Sequence, residues 1–146
     1  MQVYKFGGAS IASPMHMQQL LPIIQSVKTP LVVVLSAYGK TTNALEAIAL
    51  ACKEQQVAAA KKLAKQLEQA HVEYAQQLLS SDRFNEVFPH LNALFTELEW
   101  SIDDFNLQDF DYSYDQIVCI GELLSSRIFA AYLNQMQLAT TWIDAR

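Results

Sequence analysis

The spacing of apolar residues along the chain predicts an order of strand, helix, strand and then several helices. Residues 3–6 read Val-Tyr-Lys-Phe and end at a glycine pair, which is typical of a strand that leads into a turn. Residues 31–35 read Leu-Val-Val-Val-Leu, a continuous apolar run of the kind found in central parallel strands. We therefore expect two parallel strands near the N-terminus.

Helical periodicity fills most of the remaining sequence. Ser13 suits the N-cap and Pro14 the first turn of a first helix, which Pro22 is expected to kink or interrupt. Apolar residues at helical spacing then predict a long helical stretch over residues 44–110, with one of its helices running after Pro89. Such stripes are far more often core than cofactor sites.

The C-terminal part predicts one more helix and one more strand. The helix spans roughly residues 114–136, and residues 139–143 read as a short strand that ends at Asp144. The order of elements predicts an α/β fold with a mostly parallel sheet and helices on both faces. Ligands of such sheets bind at the carboxyl ends of the strands, where the glycine turns lie.

Composition narrows the class of protein. The chain of 146 residues is 51% hydrophobic and 17% charged, as expected of a folded domain with one core. Its net charge of −5 argues against nucleic acid and against a basic membrane surface as partners. No apolar run approaches the ~18 residues that span a bilayer, and no signal peptide is visible. We therefore expect a cytoplasmic protein with no nucleic-acid or membrane partner.

Cysteine, histidine and acidic residues give no metal pattern. Cys52 and Cys119 are far apart among apolar residues, as expected of free thiols in a reducing cytosol. The three histidines lack ligand spacing, and the acidic stretch 97–115 has no calcium-loop spacing. We expect no metal site, and a solvated loop or helix end at residues 97–115.

The basic residues of the N-terminal third coincide with its glycines. Residues 1–50 carry three lysines and one acid, whereas the rest of the chain is strongly acidic. Within residues 5–8, Lys-Phe-Gly-Gly, the lysine can direct its ammonium toward an anion held by glycine amides. The alternative is a tight turn beside an exposed lysine.

A second polar segment follows the predicted strand 31–35. Residues 36–43 read Ser-Ala-Tyr-Gly-Lys-Thr-Thr-Asn, but a phosphate-binding P-loop would need glycine in place of Val34. The segment still offers hydroxyls and free amides at a helix N-terminus, which suit a carboxylate or a phosphate. Simple capping of the helix by Thr41 or Thr42 is the alternative.

The third candidate is Glu122, which follows Gly121 within the apolar stretch 117–124. A carboxylate in such surroundings needs a cation or a hydrogen-bond donor. The alternative is an exposed glutamate with Arg127 as a loose partner.

Taken together, four short motifs resemble the N-terminal part of the aspartate kinases, within the amino acid kinase family. The family's Lys-Phe-Gly-Gly-Thr-Ser corresponds to residues 5–10, and its Val-Ser-Ala…Gly…Thr-Asn-x-Leu to residues 35–45, where Leu35 stands at the position of the family valine. Its Gly-Glu-x-x-Ser corresponds to residues 121–125, and its Asp-Ala-Arg to residues 144–146. Each motif alone is weak, but four in order across nearly the whole chain are specific.

The resemblance implies an enzyme that transfers the γ-phosphoryl group of ATP to the side-chain carboxylate of L-aspartate. The product is 4-phospho-L-aspartate, the first intermediate toward lysine, threonine and methionine. By analogy, Lys5 is the catalytic residue that neutralises charge on the phosphoryl group. The phosphates bind at Lys5, Gly7 and Gly8, and the substrate at Ser36, Thr42 and Glu122. The resemblance also implies that ATP binds together with Mg²⁺ and that the full-length enzyme is a homo-oligomer.

Two departures from the family pattern qualify this expectation. Ala9 replaces the family threonine, which removes one hydroxyl near the phosphates. The family's kinase domain also continues beyond the point that corresponds to Arg146, with the main nucleotide-binding segments and regulatory ACT domains. We therefore expect residues 1–146 to be the aspartate-binding part, inactive alone. Another carboxylate or carbamate kinase of the same fold, such as a glutamate or acetylglutamate kinase, and a non-catalytic binding module remain alternatives.

Overall fold

The computed structural model describes all 146 residues, Met1–Arg146. Two strands and seven α-helices follow in chain order, with short 3-10 turns at Gly8–Ile11 and Leu107–Asp109. The elements are β1 (Gln2–Phe6), α1 (Pro14–Gln19), α2 (Leu21–Ser26), β2 (Leu31–Leu35), α3 (Thr41–Lys53), α4 (Val57–Leu78), α5 (Ser81–Asp103), α6 (Phe110–Val118) and α7 (Ile120–Gln135).

The two strands pair in parallel, as the sequence predicts. Gln2 lies beside Leu31 and Phe6 beside Leu35, so both strands end at the same edge of the sheet. Phe6 and Val33 pack against the core, whereas alternate residues on the other face, among them Val34, are exposed. The sheet therefore brings the turns that follow β1 and β2 together.

The first helical segment is confirmed in detail. Ser13 is the N-cap of α1, and its hydroxyl accepts a hydrogen bond from the backbone N–H of His16 at 3.3 Å. The helix breaks at Leu20, and Pro22 occupies the first turn of α2. A proline is tolerated there because the first-turn N–H groups have no partner within the helix.

The five helices α3–α7 form most of the hydrophobic core. Buried apolar residues of α3, α4, α5, α6 and α7 make one cluster with Ile11, Met17 and Leu35. The helix predicted after Pro89 begins earlier, at Ser81, where the Ser80 hydroxyl accepts from the N–H of Arg83 at 3.4 Å. Pro89 therefore lies inside α5, because the buried residues on both sides of it offset one lost backbone hydrogen bond.

The C-terminal elements differ from the prediction. The expected single helix is divided at Cys119 into α6 and α7. The expected strand 139–143 does not join the sheet, which has two strands. Side chains of α7 use its polar groups instead: Asn134 bonds both the N–H and the C=O of Thr140, and Ser126 Oγ accepts from the Trp142 indole at 2.9 Å.

Within Leu107–Gln135, the most apolar window of 18 residues has a mean hydropathy of 1.3, which meets the length and composition of a membrane span. However, 67% of this window is buried inside the protein. This burial is the behaviour of a core helix, because a spanning helix needs apolar side chains on its outer surface.

Candidate functional site

The turns that follow β1 and β2 lie side by side at the carboxyl edge of the sheet. The Ser36 N–H donates to the Phe6 carbonyl at 3.1 Å, and the Gly39 N–H donates to the Gly8 carbonyl at 3.3 Å. Gly39 has φ +56°, a conformation that glycine adopts without strain. The first two candidate segments of the sequence therefore meet in space.

The two glycines of the first turn differ in what surrounds them. A Cβ on Gly8 would lie 2.5 Å from the Ala37 carbonyl oxygen, so the packing of the two turns itself requires glycine there. A Cβ on Gly7 would meet only Lys5 Nζ, at 3.7 Å, and its φ of −76° suits any residue. No contact within the chain therefore requires glycine at position 7, and the space above it stays open to a ligand.

Glu122 reaches the same edge from α7. A Cβ on Gly121 would lie 2.8 Å from the Ala37 Cβ, so glycine allows the start of α7 to approach the turn after β2. The half-buried Glu122 accepts a hydrogen bond from the Ala37 N–H at 3.2 Å, and Ser125 Oγ donates to the Ser36 carbonyl at 2.8 Å. The alternative of an exposed Glu122 paired with Arg127 is wrong.

Arg127 is used elsewhere. Its guanidinium lies over the Trp142 ring, 4.1 Å from the centroid. Partial burial lowers the pKa of Arg127, and the charge of Asp144 opposes that effect. This stacking holds the C-terminal segment on α7 rather than neutralising Glu122.

The alternative that threonine caps α3 is also wrong. The N-cap is Lys40, and no side chain caps the helix. Thr41 is buried, with its methyl group 3.2 Å from the position of a Gly121 Cβ, whereas Thr42 is half-exposed. Thr42 therefore stands in the first turn of α3 with its side chain not used for capping.

Lys5 lies in β1, one residue before its end, and is exposed. It belongs to none of the five ion pairs of the chain, and its Nζ lies near Gly7. Lys5, Ser36, Thr42 and Glu122 thus stand on the four elements that meet around Ala37. Their roles toward substrate stay predictions.

The sequence patterns do not show two contacts, one at the edge and one in the C-terminal segment. The Ala37 N–H is the donor that holds Glu122, and a backbone group leaves no residue signature. The Arg146 guanidinium bonds Asp144 and Glu97, which places the C-terminal segment against α5. These hydrogen bonds and charges raise the pKa of Arg146, and Arg146 in turn lowers the pKa of Asp144. Only an Arg two residues after an Asp hints at this pair in sequence.

The donor set suits phosphate oxygens better than a cation. Glycine amides and a lysine offer hydrogen-bond donors and positive charge, which phosphate accepts. No group of three or more His, Cys, Asp or Glu side chains could hold a metal ion. These donors are of the kind that bind phosphate oxygens, and the residues present supply no ligand set for Mg²⁺.

Several aspartokinases are similar to this chain in sequence. Aspartokinase 1, chloroplastic, from Arabidopsis thaliana is 32% identical over 98% of this chain and 25% of its own length. Aspartokinase 3, chloroplastic, from the same plant is 34% identical over 98% of the chain and 25% of its own length. The bifunctional aspartokinase/homoserine dehydrogenase 2 of Escherichia coli is 28% identical over 99% and 18%. The chain thus spans about a quarter of the length of the plant relatives.

Solved structures agree on the fold. Escherichia coli aspartokinase III in complex with lysine and aspartate superposes with a TM-score of 0.80 at 23% identity, over 95% of this chain and 30% of that one. Its complex with aspartate and ADP gives 0.76 at 24% identity, over 100% and 31%. The amino acid kinase family description matches residues 1–146. The expected α/β fold and the resemblance to aspartate kinases are confirmed, and the chain belongs to the amino acid kinase family.

Proposed function

We propose that residues 1–146 form the aspartate-binding part of an aspartate kinase, which phosphorylates the side-chain carboxylate of L-aspartate with ATP. The observation that carries this proposal is the half-buried Glu122 carboxylate, bonded to the Ala37 N–H beside both glycine turns. A carboxylate fixed at an edge that otherwise offers amide and ammonium donors suits a ligand with both a positive and a negative end. An α-amino acid that receives a phosphoryl group is such a ligand.

In the proposed reaction, an oxygen of the aspartate side chain attacks the γ-phosphorus of ATP. The bond from that phosphorus to the β,γ-bridging oxygen breaks, so that ADP leaves and an acyl phosphate forms. Such a transfer depends on positioning and charge stabilisation more than on covalent help from the protein. Lys5 would neutralise the phosphoryl oxygens, which otherwise repel the attacking carboxylate.

The remaining predicted residues would position the two substrates. Gly7 and Gly8 would approach the phosphates with their backbone, and Ser36 would line the region between the phosphates and the acceptor. Thr42 and Glu122 would hold aspartate, with Glu122 facing its ammonium group. Ala9 leaves Ser10 as the hydroxyl of this turn.

The proposed reaction also needs binding sites for the rest of ATP and for Mg²⁺. The relatives are about four times longer than the matched region, so we propose that adenine, ribose and Mg²⁺ bind mainly outside residues 1–146. We also propose a homo-oligomer for the full-length enzyme, and a cytoplasmic location. The chain alone is then expected to form no acyl phosphate from ATP and L-aspartate.

Isothermal calorimetry on the 146-residue chain tests the substrate class. We expect L-aspartate to bind more tightly than L-glutamate or N-acetyl-L-glutamate, because a pocket fitted to one chain length discriminates by ~1–3 kcal/mol per methylene. Tighter binding of either longer ligand would favour another carboxylate kinase of this fold. No binding of any of the three would favour a non-catalytic module and contradict the proposal.

A further inference from the structure

An aromatic stack of the half-buried Tyr38 and the buried His71 and Tyr74 packs against the two turns. Tyr38 sits in the second turn, between Ala37 and Gly39, and its side chain packs on α4. Its ring lies 4.2 Å from the Tyr74 ring at an interplanar angle of 28°, and 4.6 Å from the His71 ring at 55°. The turn that carries the donor to Glu122 is thus anchored to α4 by its own side chain.

The same helix also holds the first turn. The Tyr74 hydroxyl donates to the Ile11 carbonyl at 2.8 Å. Ile11 is fully buried and ends the 3-10 turn that begins at Gly8. Tyr74 therefore contacts both turns, through its ring on one side and its hydroxyl on the other.

His71 completes the stack at an energetic cost. It is fully buried, and its Nδ1 bonds the Leu67 carbonyl at 2.8 Å, whereas its Nε2 has no partner. Burial lowers the pKa of His71 to about 4, so its ring is neutral near pH 7 and adds no charge to the stack. An unpaired buried nitrogen is destabilising, so packing against Tyr38 and Phe95 must outweigh that cost.

We propose that Tyr38, His71 and Tyr74, here called the α4 stack, are positioning residues that align the two glycine turns with each other. None of them is among the predicted site residues; they act through Ala37, Gly39 and Ile11. The inference rests on the proposed function only for the identity of the ligand. It assigns to α4, which contributes none of the predicted site residues, control over the affinity of the site.

Amide hydrogen exchange on the Tyr74→Phe variant tests this assignment. The substitution keeps the stacked ring and removes only the hydrogen bond to Ile11. Loss of one such bond is expected to speed exchange of the turn amides of Ser10, Ala37 and Gly39 roughly two- to tenfold. Tyr132→Phe is the control for removal of a hydroxyl alone, because Tyr132 is buried near the C-terminal end of α7 and its hydroxyl makes no hydrogen bond within the chain.

L-aspartate binding supplies a second readout that a purely structural role would not move. Tyr74→Phe is expected to weaken L-aspartate binding roughly two- to tenfold, whereas Tyr132→Phe leaves it unchanged. Tyr38→Leu, which removes the stacked ring, is expected to affect the same amides more strongly. If Tyr38→Leu does not fold, the Tyr74→Phe result decides alone.

Two outcomes would overturn the assignment: unchanged exchange at the turns, or equal acceleration in every helix. Failure of the proposed function looks different. If the wild-type chain binds no L-aspartate but Tyr74→Phe still loosens the turns selectively, the alignment by the α4 stack is supported and the ligand is wrong.

Discussion

The helical core and the sheet edge of this chain differ in how far their side chains are buried. In the core, large side chains such as Leu91, Leu98 and Leu124 are completely buried. At the sheet, Val3 is 61% exposed, and Lys5 at the same edge has no ion partner. The difference shows that the helices supply stability, whereas the edge keeps polar groups available to a ligand.

A groove of about 810 Å³ marks the border between the two regions. It runs along β2 and α7, is lined mostly by apolar residues, and has Glu122 in its lining. The carboxylate of the proposed substrate site therefore stands where the packed helices meet the open sheet. Changes on either side of this border should separate effects on activity from effects on stability.

Replacement of Lys5 by alanine is expected to have the largest effect. In a protein that carries the complete kinase domain, turnover should fall roughly 10²–10³-fold, because a charge that stabilises the transition state is lost. The melting temperature should not change, since Lys5 is exposed. Hydroxylamine trapping of the acyl phosphate measures the rate, with Lys28→Ala as control. An equal loss in the control would contradict the assignment.

One substitution in the core and one in the sheet compare how much each region contributes to stability. Leu124→Ala in α7 should lower the free energy of unfolding by ~2–5 kcal/mol, because it leaves a cavity among completely buried residues. Val34→Ala, at an exposed strand position, should cost less than about 1 kcal/mol. Urea denaturation of both variants checks the difference; similar losses would show that the sheet carries as much stability as the helices.

The glycine pair offers a finer separation. Gly8→Ala should destabilise the chain by ~1–3 kcal/mol, because the new Cβ would lie 2.5 Å from the Ala37 carbonyl. Gly7→Ala should leave stability nearly unchanged but weaken nucleotide binding in a complete kinase domain, since the methyl group enters the open space. Thermal melting and ADP titration measure the two effects. A stable Gly8→Ala variant would contradict the close approach of the turns.

Acid should weaken the chain through His71. The pKa of His71 is about 4 in the folded chain, below the unfolded value of 6.5. Between these two pH values His71 is therefore protonated in the unfolded chain and neutral in the folded chain. Stability contributed by the neutral ring is complete above pH 6.5 and is lost as the pH falls toward 4. Between pH 7 and pH 5 the loss should be roughly 2 kcal/mol. Urea denaturation at both values checks this, and His71→Phe should remove most of the difference.

The sequence predicted those elements that depend on neighbouring residues in the chain. The cap at Ser13, the break near Pro22 and the parallel pair β1 and β2 all follow from residue type and spacing. The expected strand 139–143 does not form, and the Asn134 side chain takes both backbone hydrogen-bonding groups of Thr140 in competition with strand pairing. Periodicity cannot show that competition, because it arises only once α7 is in place.

In the candidate site, too, the sequence predicted the residues of the motifs but not the contacts between distant segments. The motifs locate Lys5, Gly7, Ser36, Thr42 and Glu122, and the structure brings their elements to one edge. The donor to Glu122 is a backbone amide, and the α4 stack joins residues more than thirty positions apart. Such contacts depend on tertiary packing, so one sequence without its fold could not reveal them.

An NMR titration of the 146-residue chain with L-aspartate tests the central claim most directly. The account predicts that the amide signals of Gly7, Ala37 and Thr42 shift on binding, and that Glu122→Gln abolishes the shifts whereas Glu46→Gln does not. Shifts confined to other parts of the chain, or unchanged in Glu122→Gln, would contradict an aspartate site at this edge.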